Sequence, residues 1–206
     1  VTLLLPAAGQ SRRMGQPKLL LPWGNGTVLD GTLAQVRAAD VAEIIVVTGA
    51  CRERVAKIAA AHGAQIVHNP AYAAGEMGSS VRVGVGAVSA ETRAVLILPA
   101  DMPLVQPATI NQVIAAFVAG QGTIVAPVYG GQRGHPVLFG RCHIAALAAL
   151  PPGSLPRDVV RHHRESVCLL PVDDPGVLID LDDPQTYALA HAAAPPEPAQ
   201  APRAES

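Results

Sequence analysis

The sequence predicts an α/β fold, three layers in an α/β/α arrangement around a mixed, mainly parallel sheet. Three observations predict it. Short apolar runs alternate with longer amphipathic ones along most of the chain, which is the pattern of successive βαβ units. Half of the 206 residues are hydrophobic, enough for a substantial core at this length. No apolar run approaches the roughly 18 residues of a membrane-spanning helix.

Taken in order, Val1–Leu5 reads as the first buried strand, Thr27–Ala39 as a helix and Ile44–Thr48 as the second strand. Arg52–His62 is helical, Gln65–His68 extended, Ser79–Ala87 helical and Ala94–Leu98 a fully apolar strand. Ala108–Ala119 is the next helix and Thr123–Pro127 the next strand; Tyr129-Gly130-Gly131 forms a turn leading to a strand at Pro136–Phe139. Arg141–Leu150 and Pro156–Arg164 read as helices, Val167–Val172 and Val177–Leu181 as strands, and Pro184–Ala193 as a final helix. Residues 1–193 are expected to form one domain. Residues 194–206, rich in Pro and Ala, cannot build a core and are expected to be a flexible tail. Right-handed crossovers place every strand-to-helix loop at one edge of a parallel sheet, so chemistry is sought in those loops.

Composition narrows the functions. Fifteen Lys+Arg against 16 Asp+Glu give a net charge of −1, which lacks the basic surplus of a nucleic-acid binder. Aromatic residues are 3%, too few for base-stacking platforms. Three widely spaced cysteines, Cys51, Cys142 and Cys168, make neither a disulfide framework nor a zinc ribbon. They are expected as small buried hydrophobes in a reducing, cytoplasmic protein, and the start of the chain lacks the charged region of a secretory signal. The histidines, His162-His163 included, lack ligand-spaced partners for zinc.

The loop after the first strand carries the strongest signal. Ala7, Ala8 and Gly9 are small enough for backbone N–H groups to approach a ligand, and Arg12, Arg13 and Lys18 bring three cations to the same loop. Backbone donors plus cations suit a polyphosphate; an ordinary surface loop with solvated arginines is the plain alternative. The loop is neither a Walker A nor a GxGxxG motif. A second signal is Asp101, placed just past the apolar strand in Leu98-Pro99-Ala100-Asp101-Met102-Pro103. It shares the loop edge with Lys18, and a carboxylate beside a triphosphate is what Mg²⁺ requires.

Pro6-Ala7-Ala8-Gly9-x-Ser11-x-Arg13-Met14-Gly15-x-Pro17-Lys18, continuing through Leu19–Trp23 and Thr27–Asp30, resembles the molybdopterin (molybdenum cofactor) cytidylyltransferases within the MobA-like NTP transferase family. The resemblance implies a Rossmann-like sheet of the nucleotide-diphospho-sugar transferase type. It also implies Mg²⁺-dependent transfer of CMP from CTP to the terminal phosphate of molybdopterin, with pyrophosphate as leaving group. In that scheme Arg13, Lys18 and Asp101 are catalytic, and Asp101 holds the metal. Ala7, Ala8, Gly9, Arg12 and Lys18 bind nucleotide, and Ala8, where guanylyl members carry Gly, favours cytidine. Gly78, Ser79 and Ser80, in Asn69-Pro70-x-Tyr72-x-x-Gly75-Glu76-Met77-Gly78-Ser79-Ser80, close over base and ribose, although either serine alone is equally well read as a helix cap. His135, in Gly134–Phe139, is an acceptor-side hydrogen-bonding group rather than a base, because a phosphate acceptor is already ionised. Arg157 stands in a stretch that departs from the family pattern at Ser154 and Pro156, and would clamp the acceptor phosphate.

Five of the nine Asp residues lie between 173 and 183. Asp173 and Asp174 read as a solvated acidic turn. Asp180 and Asp182 alternate onto one face and resemble the family's closing acidic motif, in reach of metal or acceptor; Asp182 or Asp183 capping the last helix is the competing reading. Partners implied are CTP and a molybdopterin-type phosphate acceptor, with a molybdenum hydroxylase or its chaperone as a further candidate, and neither nucleic acid nor membrane. Two other classes remain open: a nucleotidyltransferase for another acceptor (methylerythritol phosphate, a sugar phosphate, or a guanylyltransferase reaction), and a non-catalytic protein that delivers cofactor to a molybdenum hydroxylase.

Overall fold

A computed structural model describes residues 1–74 and 77–193. The expected tail and the Gly75-Glu76 pair lie outside them. The elements are β1 (Thr2–Ala7), the small hairpin β2 (Pro22–Trp23) and β3 (Gly26–Thr27), α1 (Val28–Arg37), β4 (Glu43–Thr48), α2 (Arg52–Ala61) and β5 (Gln65–His68). Then follow α3 (Met77–Val85), β6 (Ala94–Ile97), α4 (Pro107–Val118), β7 (Ile124–Tyr129), β8 (Gln132–Arg133) and β9 (Val137–Gly140). The last described elements are α5 (Ile144–Ala148), α6 (Pro156–His162), β10 (Val167–Pro171) and α7 (Pro184–Ala193).

Among the described residues one sheet runs in the order β10-β7-β9-β6-β1-β4-β5, with β8 paired to β7. β1 is parallel to both β4 and β6, β4 to β5, and β10 to β7; β9 runs antiparallel to β6 and to β7. The Gly130-Gly131 turn has φ of +55° and +79°, the sign a two-residue hairpin needs at both centres, so β8 returns on β7. Successive residues of β1 serve opposite faces. Leu3 and Leu5 pack with Leu29, Leu33 and Ile110 under α1, α2, α4 and α7. Leu4 packs with Val81, Val85, Leu147 and Val160 under α3, α5 and α6. Both faces are covered, which is why the strands read as continuous apolar runs.

The chain leaves β1 toward β4 on one side and returns to β6 on the other. Their C-terminal ends therefore splay apart at a topological switch point, where α/β sheets open a crevice.

Three expectations are corrected. Val177–Leu181 is not a strand: Pro175–Leu178 forms a 3-10 turn and the chain then runs extended, joined to the β6 turn by Leu181 N–H donating to the Asp101 carbonyl at 3.1 Å. β6 is already flanked by β1 and β9, so no ladder position is left for it. Asp174 is not solvated. It is 2% exposed and accepts from Gly176 N, Gln106 N and the Thr109 hydroxyl, at 2.9, 3.0 and 2.7 Å, and so caps the 3-10 turn and the first turn of α4 together. The cysteines are not core residues: Cys51 and Cys142 are exposed and Cys168 is half-buried.

Asp174→Ala strips three donors of a buried acceptor and should cost about 2–3 kcal/mol of unfolding free energy. The exposed Asp173→Ala should stay within about 0.5 kcal/mol of the parent. Urea unfolding of both reads the difference, and equal small effects would remove the double-cap assignment.

Candidate active site

The crevice at the switch point is a cleft of about 400 Å³. Its floor is the end of β1 and the loop that follows, Ala7 through Arg13. That loop is shaped by Ser11, whose backbone has φ +51° and whose hydroxyl accepts from Lys18 N at 3.0 Å. Met14, 7% exposed, plugs the loop into the core beside Leu19 and Leu21. Pinned at both places, the loop directs Lys18 inward, while Arg12 and Arg13 stay exposed.

The sheet order splits the cleft into two halves. On the β6 side stand Asp101, His135, Asp180 and Asp182; on the β4–β5 side stand Tyr72, Met77 and Ser80, with Ala8 between them. Asp101 is 5% exposed. Asp180 and Asp182 reach the same cleft because Leu181 between them is fully buried in the core. Asp183, and not Asp182, caps α7, accepting from Gln185 N and Thr186 N, each at 2.9 Å.

Lys18 is the centre of the β6 half. Its Nζ donates to Asp101 and, at 2.5 Å, to Asp182 Oδ1. Arg13 donates to the second oxygen of Asp182 at 2.5 Å. Burial works against the Lys18 charge, yet the two carboxylates outweigh it and raise its pKa above the ordinary lysine value. Asp182 is held below the ordinary carboxylate value, since Lys18 and Arg13 outweigh its burial. Asp180 lies above it, through burial and repulsion from Asp182 and Asp101, relieved only in part by Lys18. The acidic half is thus overcharged by one carboxylate that no cation among the described residues fully compensates.

Among the described residues no three acidic, histidine or cysteine side chains are already gathered at coordinating distance. The Lys18 ammonium occupies the space between Asp101 and Asp182. The donor set is hard oxygen on a cleft wall with surplus negative charge, which fits a divalent cation of the Mg²⁺ or Mn²⁺ kind once Lys18 turns to another anion.

His135 lines this half. Burial pushes its imidazole below the usual histidine range, against smaller opposing effects of the Ile97 backbone and Asp101, so the ring is neutral at pH 7. Its Nδ1 is buried without a hydrogen-bond partner. A neutral ring supplies a hydrogen bond, not a positive charge, to whatever enters.

Not every residue expected at the site lines the cleft. Arg157 is exposed in the first turn of α6 and is absent from the cleft wall. Gly78 is packed outside it: a Cβ there would lie 2.1 Å from the Ser154 carbonyl oxygen, so the glycine lets α3 abut the α5–α6 connection. Ser79 is buried beside Ser80, but only Ser80 reaches the wall. Arg12 lines the rim and is held by the Gln10 side chain at 2.9 Å.

Four contributors carry no individual role in the sequence reading, three of them within its Asn69–Ser80 motif. Asn69, fully buried, donates to the Ser79 and Ser80 hydroxyls at 2.9 and 3.0 Å; an Asn-Pro directly after a strand was the available signal. Tyr72 and Met77 line the wall. Gly49 has no room for a Cβ, which would fall 2.6 Å from the Ala8 carbonyl oxygen and from Tyr72 Cβ, and so it lets Tyr72 close against Ala8.

A mainly parallel sheet with a cation-bearing loop after its first strand and a carboxylate after the strand beside it is the frame of a nucleotide-phosphate site, and the comparisons make the protein a nucleotidyltransferase. The chain belongs to the MobA-like NTP transferase family, whose model matches residues 3–176. It is 29% identical over 192 residues to the molybdenum cofactor cytidylyltransferase of Escherichia coli (strain K12), covering 92% of this chain and 95% of that one. Rv0371c of Mycobacterium tuberculosis H37Rv superposes with a TM-score of 0.82 at 30% identity, over 94% of this chain and 99% of the other. A structure of Rv0371c in complex with manganese superposes with a TM-score of 0.78 at 28% identity, over 94% and 98%. Among the described residues no helix is long and apolar enough to cross a membrane.

The opposite displacements of the two cleft aspartates make a sign test. A carboxylate held below its ordinary value stabilises the fold above the unfolded-state pKa near 3.8, and that contribution is lost as pH falls through the folded value. A carboxylate raised above it destabilises the ligand-free fold once ionised. At neutral pH, Asp182→Asn should lower the melting temperature of the ligand-free protein and Asp180→Asn should raise it, as read by calorimetry. Shifts of the same sign would contradict the charge balance described.

Proposed function

We propose that the protein is a divalent-metal-dependent cytidylyltransferase. It transfers CMP from CTP to the terminal phosphate of molybdopterin or a closely related pterin phosphate and releases pyrophosphate. The observation that carries the reading is the meeting of Lys18, Asp101 and Asp182 at the end of the glycine-containing β1 loop. The Escherichia coli relative, a molybdenum cofactor cytidylyltransferase, supports the choice of acceptor and base.

An oxygen of the acceptor phosphate attacks the α-phosphorus of CTP, and the bond to the β-phosphate oxygen breaks with its electron pair leaving on pyrophosphate. No proton need be removed, because the acceptor is already ionised at neutral pH. The task of the protein is positioning and charge. The backbone of Ala7–Gly9 cradles the phosphates, Lys18 turns from the carboxylates to the triphosphate, and Arg13 and Arg12 stand at the rim to neutralise its outer charge. Asp101, with Asp180 and Asp182, would hold Mg²⁺ or Mn²⁺, whose chemistry is to screen the phosphate oxygens and polarise the α-phosphate. His135 is offered as an acceptor-side hydrogen-bonding group. Arg157, outside the cleft wall, serves an acceptor only if that ligand extends beyond it. A molybdenum hydroxylase or its chaperone is the recipient class for such a product.

Pyrophosphate release is to be measured with CTP, GTP, ATP and UTP, with Mg²⁺ or Mn²⁺, with and without molybdopterin. The reading expects CTP-selective release that requires both the pterin and the metal. Release favouring GTP would replace the base assignment, and CTP binding without turnover would favour a delivery role. Lys18→Ala and Asp101→Ala should each lower kcat/KM by roughly 10² or more, the scale of one lost electrostatic stabiliser. Wild-type turnover in either variant would remove that residue from the mechanism.

A further inference from the structure

We infer that Asn69, a residue outside the cleft, sets the hydrogen-bond polarity of the nucleobase half of the site. Asn69 is fully buried at the end of β5. Its carbonyl oxygen accepts from Ala71 N at 3.0 Å, closing the turn after the strand. Its backbone N–H donates to the Thr48 carbonyl at 2.9 Å, tying the turn to β4. These two bonds orient the side-chain amide, so that the group facing α3 is the NH₂. That NH₂ donates to Ser80 Oγ at 3.0 Å and to Ser79 Oγ at 2.9 Å.

The consequence falls on Ser80. A hydroxyl is one donor and an acceptor. The Ser80 oxygen is engaged by Asn69, and no acceptor for its proton stands among the described residues. Ser80 lines the cleft on the β4–β5 side, away from the acidic half. The cleft therefore presents a donor there, and the ligand group it takes is an acceptor. On the cytidylyltransferase reading, on which this inference rests, that group is the carbonyl or ring-nitrogen edge of the pyrimidine. Were the partner of Ser80 an acceptor instead of an amide NH₂, the hydroxyl would point its proton inward and show the base a lone pair. Asn69 is thus a positioning residue acting through Ser80.

Asn69→Asp is the informative variant. It keeps the oxygen that closes the turn on Ala71 and replaces only the NH₂ with an acceptor. Ser80→Ala removes the group through which Asn69 acts. Nucleotide affinity is read by calorimetry with CTP and Mn²⁺, and KM and kcat by pyrophosphate release, in the parent, both single variants and the double variant. Asn69→Asp and Ser80→Ala should each weaken CTP binding about tenfold, the effect of one hydrogen bond, with kcat within about threefold of the parent. The double variant should be no weaker than the weaker single one. Losses that multiply in the double variant, or unchanged CTP affinity in Ser80→Ala, overturn the inference. If Asn69→Asp does not fold, Ser80→Ala alone decides: a tenfold loss in affinity with kcat retained supports it, and unchanged affinity overturns it. If the parent prefers GTP, the cytidine reading fails separately. The same cycle is then read with GTP, where non-additive losses support Asn69 acting through Ser80 and additive ones overturn it.

Discussion

The site is organised by one ammonium group. Lys18 joins three segments that are remote in sequence: the loop after β1, the turn after β6 and the run leading into α7. Burying a lysine costs desolvation, and the cost is met only because Asp101 and Asp182 both face it. Remove the lysine and two carboxylates confront each other beside a third, Asp180, whose charge is already disfavoured. The arrangement of the acidic half follows from this: its surplus negative charge suits a second cation, and the proposed mechanism has its lysine turn to the triphosphate.

The sheet order does the rest. Because β1 sits between β4 and β6, whatever lies on its loop has the β5–α3 region on one hand and the β6 turn on the other. A nucleotide laid along that loop meets hydroxyl and apolar groups at one end and carboxylates and lysine at the other. Two side chains fully or almost fully withdrawn from solvent hold these halves in place. Leu181 anchors the core and leaves Asp180 and Asp182 facing the cleft. Asn69 ties the end of β5 to α3.

Much of this was legible. The apolar strands and the amphipathic helices announce the layers, and the parallel-sheet rule brings Lys18 and Asp101 to one edge before any coordinates are known. The helix read over Thr27–Ala39 is α1, which the structure shows capped by Thr27 and Asp30. What stayed hidden depends on the third dimension. The apolar run Val177–Leu181 suggests a strand, and alternation along it places Asp180 and Asp182 on one face; both do line the cleft, but the segment is held by isolated backbone bonds, His135 N–H to the Val177 carbonyl and Leu181 N–H to the Asp101 carbonyl, because β6 has no free edge. Asp174 looked like one more exposed acid, because a sequence cannot show that Gln106 and Thr109 fold back onto it. Gly49 looks like any glycine until Tyr72 is seen against it, and Gly78, read as part of the nucleotide site, packs against Ser154 instead.

A triphosphate and a divalent cation entering this cleft should help each other, since the cation offsets the three carboxylates that repel the phosphates and the nucleotide draws Lys18 away from the cation's ligands. Such coupling is reciprocal by linkage. The most direct measurement is the affinity of the full chain for CTP with and without Mn²⁺, set beside its affinity for Mn²⁺ with and without CTP. The account predicts that each ligand tightens the other by the same factor, about tenfold or more, within the usual range of such couplings. Equal CTP affinity in the presence and absence of the metal would contradict it.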